Sequence, residues 1–156
     1  MEYEGEGDYI INKYNGKGYD IFGNLIYELK NGTGKGKEYY NGILIFEGEY
    51  LNGLKNGKGK ECYDGELEFE GEYLNGKRNG KGKEYYSNSK LKFEGEYLNG
   101  KRNQKGKEYK YGELKFEGEY LNGKRSGKGK EYYSDGKLKF EGEYLNGKRH
   151  GKGKEY

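Results

Sequence analysis

From Leu67 to Tyr73 apolar or small residues alternate one for one with acids: Leu67, Phe69, Gly71 and Tyr73 are separated by Glu68, Glu70 and Glu72. A period of two predicts a strand with one buried face. Asn75-Gly76 interrupts the alternation, and Asn-Gly between two such runs is a strong hairpin signal. Gly80 to Tyr86 predict the returning strand, and a second turn, read as Asp64-Gly65, Asn88-Ser89 or Asp135-Gly136, leads into the next copy. The stretch FEGEYLNGKRNGKGKEYY, beginning at Phe69, recurs with small changes. Phe46, Phe69, Phe93, Phe116 and Phe140 open successive copies spaced 23, 24, 23 and 24 residues apart. A fixed period in this range marks a repeat array. Ser87 and Ser134 supply the extra residue of the longer copies, so the spacing alternates because the second loop changes length.

The regular part reads as five repeats, 46–68, 69–92, 93–115, 116–139 and a truncated 140–156. Residues 1–45 are irregular. Tyr3-Glu4-Gly5-Glu6 looks like another copy of the opening, and Gly16-Lys17-Gly18 stands where a GKG would come. A second degenerate copy opens at Tyr27, 19 residues before Phe46. Terminal repeats are commonly atypical, so 1–45 is expected to be a set of irregular repeats or a cap.

Charge suggests a register, since opposite charges placed across a strand pair support it and like charges oppose it. With a first loop of Leu74 to Asn79, Glu72 faces Lys81 and Glu70 faces Lys83. Across the second turn, pairing Tyr86 with Leu91 sets Lys83 opposite Glu94 and Lys81 opposite Glu96. The other face then has Tyr73 opposite Gly80 and Gly71 opposite Gly82, glycines that leave room for rings. This alternation puts Glu84 on the aromatic face and Tyr85 on the charged one. The Tyr85 position elsewhere holds Tyr39, Cys62, Tyr109, Tyr132 and Tyr156, whereas the Tyr86 position admits Lys110. The first set is expected to be the more buried, and a bulge near Glu84 that switches parity would reconcile the two.

Composition narrows the picture. Hydrophobic residues make up only 30% of 156, and they are dominated by 20 Tyr and 6 Phe, so the core is expected to be thin. With 30 basic against 27 acidic residues the net charge is +3, too balanced for nucleic-acid binding by bulk charge. The single Cys62 fits a reducing compartment. The acidic, polar start MEYEGEGDY is unlike a signal peptide, and no apolar run nears the roughly 20 residues of a membrane span. The expected location is cytoplasmic, with peripheral membrane association as an option.

Catalytic chemistry finds no foothold. Gly76-Lys77-Arg78-Asn79-Gly80-Lys81 has three residues between its glycines where a phosphate loop needs four, and Gly82 follows where Ser or Thr is required. His150 is the only histidine, which removes histidine-centred triads and multi-histidine metal sites; it reads as a loop residue. Cys62 occupies a tyrosine position, where packing explains it better than nucleophilic chemistry. Glu70 with Glu72 resembles a carboxylate pair, but same-face lysines predict a neutral ladder rather than acid–base work. The expectation is a non-enzyme without cofactor, metal, nucleic acid or small-molecule substrate.

Phe140-Glu141-Gly142-Glu143-Tyr144 with Gly147-Lys148-Arg149-His150-Gly151-Lys152-Gly153 resembles the MORN (membrane occupation and recognition nexus) repeat, roughly YEGEW-x-x-GKRHGxG. Phe replaces the first Tyr and Tyr replaces Trp. The phrase KEYYSDGKLKFEGEY is also similar to a MORN variant found in bacterial proteins, some of them antitoxin-like. The resemblance implies an all-β fold, an elongated single-layer solenoid of tandem antiparallel β-hairpins with an aromatic groove. It also implies a non-catalytic module for anionic phospholipid or for protein scaffolding, often dimeric.

Two surfaces are candidates. The first is an aromatic face of Phe69, Tyr73, Phe93, Tyr97, Phe116, Tyr120, Phe140 and Tyr144, suited to an extended peptide or helix, with the final strand edge open to β-augmentation. The second is a basic loop ridge of Lys77, Arg78, Lys101, Arg102, Lys124, Arg125, Lys148 and Arg149. Its loops are expected about 10 Å apart along one edge and suited to anionic headgroups. The leading expectation is a scaffolding module for a protein partner or for self-association through the aromatic face. Peripheral binding to anionic phospholipid through the ridge is the alternative, and an antitoxin-like inhibitor is a third.

Overall fold

A computed structural model of the chain describes residues 16–19, 23 and 25–156. The copy expected at Tyr3-Glu4-Gly5-Glu6 lies outside the described residues. The described residues divide into two compact units, one ending at Lys77 and the other running from Arg78 to Tyr156. In the first, β1 (Gly16–Tyr19), β2 (Leu25–Lys30), β3 (Thr33–Tyr40), β4 (Ile43–Leu51), β5 (Leu54–Tyr63) and β6 (Glu66–Leu74) form an antiparallel meander. In the second, β7 (Lys77–Tyr85), β8 (Leu91–Leu98), β9 (Lys101–Lys110), β10 (Glu113–Leu121), β11 (Lys124–Tyr132), β12 (Leu138–Leu145) and β13 (Lys148–Glu155) do the same. Each unit is one sheet of tandem hairpins, and the described residues include no helix. The all-β expectation holds.

The first turn of each repeat is shorter than expected. Asn99 and Gly100 have φ of 50° and 84°, and Asn122-Gly123 and Asn146-Gly147 repeat this. Two consecutive left-handed residues make a two-residue hairpin turn whose twist matches that of the strands. Pairing therefore resumes at once, with Leu98 opposite Lys101 and Tyr97 opposite Arg102. Lys101-Arg102, Lys124-Arg125 and Lys148-Arg149 begin strands rather than forming loops. The surplus residues are taken up inside the strand. In β12–β13, Gly142 pairs with Gly153 but Glu143 pairs with His150, so Gly151 and Lys152 bulge out. Only the inner of the two expected Glu–Lys pairs across the hairpin survives, as Glu94–Lys107, Glu117–Lys130 and Glu141–Lys154. Tyrosine meets arginine rather than glycine. His150 is likewise a strand residue.

Across the second turn, Lys81–Glu96, Lys83–Glu94 and Gly82–Gly95 pair as charge complementarity predicts. Tyr85, not Tyr86, meets Leu91, and a bulge falls between Glu84 and Tyr85. It lies where parity demanded one, but the inserted residue is Lys92 on the other strand. Ile45, Glu68, Lys115 and Lys139 play the same part in their repeats. The alternation that breaks is that of the Phe-bearing strand: Leu91 shares a face with Tyr85, and Phe93 shares the opposite face with Glu84.

The core of each unit is a row of rings. Phe46, Phe69, Phe93 and Phe116 are fully buried, and Tyr50, Tyr73, Tyr97, Tyr120 and Tyr144 retain 4% of their surface. Each described pair is edge-to-face: Phe93 meets Tyr97 of its own repeat at 5.7 Å and Tyr120 of the next at 5.2 Å, and Phe116 meets Tyr120 at 5.7 Å and Tyr144 at 5.1 Å. Within the first unit Phe46 bridges Tyr50 and Tyr73 in the same way. Such pairs add about 0.5–1.5 kcal/mol each beyond the area they bury. The rings lie flat across paired glycines. A Cβ on Gly129 would stand 2.5 Å from Phe116 Cζ and 3.2 Å from Tyr144 Cε2.

Two glycine variants should separate packing from backbone strain. Gly129→Ala is expected to cost about 1–3 kcal/mol through overpacking and to alter the near-ultraviolet circular dichroism of the ring row. Gly123, at φ 86° with open space around its Cβ position, should lose about 1–2 kcal/mol as Ala through left-handed strain and leave that spectrum unchanged. Chemical denaturation of both proteins measures the costs.

Candidate functional site

Because Tyr97 and Arg102 pair across the strands, the arginine rises onto the aromatic face. Its guanidinium carbon lies 4.1 Å from the centre of the Phe93 ring. From there it reaches back over β8: Nε and Nη2 donate to the two carboxylate oxygens of Glu84 on β7, at 2.9 and 2.6 Å. The Tyr97 hydroxyl donates to the same carboxylate at 2.7 Å. One clasp thus ties three strands over one buried ring. Arg125 stacks at 4.0 Å over Phe116 and clasps Glu108, and Arg149 stacks at 4.0 Å over Phe140 and clasps Glu131. Nη1 of Arg102 and of Arg125 also lie 3.6 Å from Glu108 and Glu131, which links the clasps into a chain. In the first unit Lys55 sits 3.9 Å over Phe46 and 3.0 Å from Glu38.

The electrostatics follow from this geometry. Burial alone would raise the carboxyl groups of Glu84 and Glu108, yet the hydrogen bonds and charge of Arg102 and Arg125, with the tyrosine hydroxyls, hold both below the ordinary carboxylate range. Glu131 behaves likewise. Tyr97 and Tyr120 are pushed well above the usual phenol value by burial and their carboxylate partners. On the opposite face Tyr109 donates to Glu94 at 2.7 Å and is pushed up to about 12, by burial and then by that bond.

Most residues of the two candidate surfaces are drawn into these contacts. Phe69, Tyr73, Phe93, Tyr97, Phe116, Tyr120, Phe140 and Tyr144 are all buried, the most open being Phe140 at 7%. A single sheet has no second layer to cover its rings, so the arginines lie over them. Arg102, Arg125 and Arg149 are accordingly committed to carboxylates rather than standing on a ridge, and Arg78 is half-buried at the second position of β7. In the second unit the aromatic rings and Arg102, Arg125 and Arg149 belong to one core.

The lysines remain. Lys77, Lys101, Lys124 and Lys148 are exposed, and in the second unit the last three sit opposite Leu98, Leu121 and Leu145, which keep 50%, 57% and 48% of their surface. These pairs lie on the face away from the rings, beside the Asn-Gly turns. The turns are hooked together: Gly100 N donates to the Arg78 carbonyl, Gly123 N to that of Arg102 and Gly147 N to that of Arg125, at 2.8–2.9 Å. The result is a rigid edge that alternates leucine and lysine, strand by strand. The first unit departs from this, with Leu51 opposite Leu54 and an exposed Leu74. The leucines escaped the sequence reading; their identical position before the Asn-Gly of all five regular repeats was the available signal. Beside this edge an open groove of about 650 Å³ is lined by Glu96, Asn103, Gln104, Lys105 and Glu119 among others. Gln104 there takes a φ of 57° where four other repeats have glycine.

Burial, and then the negative charge of Glu47, raise the Cys62 thiol, which makes it a poor nucleophile at neutral pH. Among the described residues no group of three or more His, Cys, Asp or Glu side chains is placed to hold a metal ion.

The clasps predict an acid dependence. A depressed carboxylate contributes stability that is complete above its unfolded value, near 4.3, and that is lost as pH falls through its folded value. The melting temperature should therefore stay level from neutral pH to about 5 and fall below about 4. A Glu84→Gln, Glu108→Gln, Glu131→Gln protein should melt lower at pH 7 and show a shallower acid limb. Thermal melts across pH measure this.

No curated protein matches the chain. A family model for the MORN repeat matches it five times, over residues 46–66, 69–90, 93–111, 116–137 and 140–156. These matches cover most of the chain and coincide with the hairpins that carry the ring row, so the chain belongs to the MORN repeat family.

Proposed function

We propose that this protein is a non-catalytic binding module whose partner is a protein, and that the partner is engaged by the leucine–lysine edge at the Asn-Gly turns. MORN repeats are in general binding modules. The observation that carries the reading is the burial of the aromatic row under its arginine clasps, which leaves the half-exposed Leu98, Leu121 and Leu145 as a regularly repeated apolar feature on the surface. Scattered exposed leucines are ordinary on soluble proteins, but a repeated row on a hydrogen-bonded edge is an organised surface. The opposite edge lacks this regularity. Its turns alternate in length, the exposed Tyr111 has no hydroxyl contact matching that of Tyr86, and Tyr86 spends its hydroxyl on the Tyr109 carbonyl at 3.0 Å. Anionic lipid is less well served. With the arginines neutralised, three lysines of the second unit contribute about 1 kcal/mol each near a charged leaflet, and stable anchoring takes more than one weak signal.

The test places a photo-crosslinking amino acid at Leu121 or, as control, at Asp135 on the other edge, and exposes the full chain to extract of the cells that make it. Discrete protein adducts are expected from Leu121, diminished by Leu98→Ser with Leu145→Ser, and not from Asp135. Flotation with phosphatidylserine vesicles at about 0.15 M salt, where screening acts beyond about 8 Å, is expected to leave the protein unbound. Adducts from Asp135 alone would move the site to the other edge. Flotation abolished by Lys101→Gln, Lys124→Gln and Lys148→Gln would replace the protein partner with a membrane.

A further inference from the structure

The edge has a pitch, and the pitch selects a partner. Along the second unit it reads Leu98, Lys101, Leu121, Lys124, Leu145, Lys148, one residue from each of six consecutive strands. Adjacent strands are about 4.8 Å apart, so leucines recur roughly every 9.6 Å with a lysine midway between. Directly paired residues project from the same side of a sheet. Leu98 and Lys101 lie opposite the ring side that Tyr97 and Arg102 occupy, so the leucines and lysines form one line. The hydrogen bonds from Gly123 N and Gly147 N to the preceding repeat hold that spacing.

An α-helix laid along this line matches it. Seven helical residues rise about 10.5 Å, and the third or fourth residue of the seven lies about 4.5–6 Å along the same face. We infer that the edge docks an acidic amphipathic α-helix of a partner protein, with an apolar side chain at every seventh position and a carboxylate three or four residues after each. Three leucines then meet three apolar residues across a helix of about fifteen residues, and the accumulated mismatch is about 2 Å. Lysine between the leucines supplies the charge complement, which sets register and excludes basic helices. An extended strand is a poorer fit, because its same-face residues recur about every 6.6–6.8 Å and match neither the leucine nor the lysine spacing. A membrane has no pitch, so it takes no advantage of the fixed alternation.

This inference rests on the binding-edge reading, and the experiment separates the two. Two fluorescent 21-residue peptides of equal composition are titrated against the full chain by anisotropy. In one, leucine recurs every seventh residue with glutamate four residues after each; in the other the same residues recur every fifth. The heptad peptide is expected to bind about tenfold more tightly or better, and Leu121→Asp to lose about tenfold. Lys101→Gln with Lys124→Gln should weaken binding and flatten its salt dependence, while circular dichroism shows helix gained on mixing. Equal affinity for the two peptides would mean charge attraction without pitch and would overturn the inference. So would absence of saturable binding. If Leu121 crosslinks to a cellular protein while neither peptide binds, only the helix inference falls; if the crosslinks are missing as well, the edge reading falls with it. Flotation with anionic vesicles that depends on the three leucines would assign the edge to a membrane and overturn both.

Discussion

An arginine lying over a phenylalanine and forked onto a carboxylate two strands away is the interaction on which the rest of this fold depends. A sheet one layer thick has nothing to set against its apolar face, and water at the rings would leave the apolar burial uncollected. Arg102, Arg125 and Arg149 supply the missing layer with flat, weakly hydrated groups that pair with carboxylates in two parallel hydrogen bonds. That is how a chain with 37% charged residues forms a core. The charge is part of the packing. Removing one member of a clasp strands its partner beside a ring, whereas the ion pair as a whole adds modest net stability. Lys55 performs the same cover in the first unit with a single ammonium, which can stack and pair but cannot fork.

Much of this was legible in the residues. The period of 23 or 24, the Asn-Gly hairpins, the Lys83–Glu94 register and the facing glycines all express local alternation, which a sequence displays directly. Glu84 shows where local reading ends. Alternation alone puts it among aromatic rings; its partners Tyr97 and Arg102 are 13 and 18 residues on, one and two strands away. No pairwise rule along one hairpin brings those three together. The misplacement of the arginines has the same origin. Reading Lys101-Arg102 as loop followed from giving Asn-Gly a wide turn, when its two left-handed residues close the hairpin alone and deliver the arginine to the ring side.

That delivery also decides which side chains stay exposed. Residues that look suited to binding by type, tyrosine, phenylalanine and arginine, are consumed in holding adjacent repeats together. What each repeat can spare are the side chains pointing the other way from the same strand ends, a leucine and a lysine per hairpin in the second unit. Packed and exposed residues therefore alternate within the dipeptides Tyr97-Leu98 and Lys101-Arg102. Near-identity between copies keeps both sets in step.

The alternation in second-loop length has a consequence for how the chain reaches this state. Between β7 and β8 and between β11 and β12 five residues intervene, but between β9 and β10 only Tyr111-Gly112. Copies so alike invite a hairpin to anneal one repeat out of place, the characteristic error of tandem sequences. Such a slip would ask a two-residue turn to close where five residues fit, and would bring Gln104, in its left-handed conformation, to a position built for glycine. Slips of two repeats escape the first penalty but not the second. The uneven loops and the one glutamine thus serve as address marks in an otherwise degenerate text.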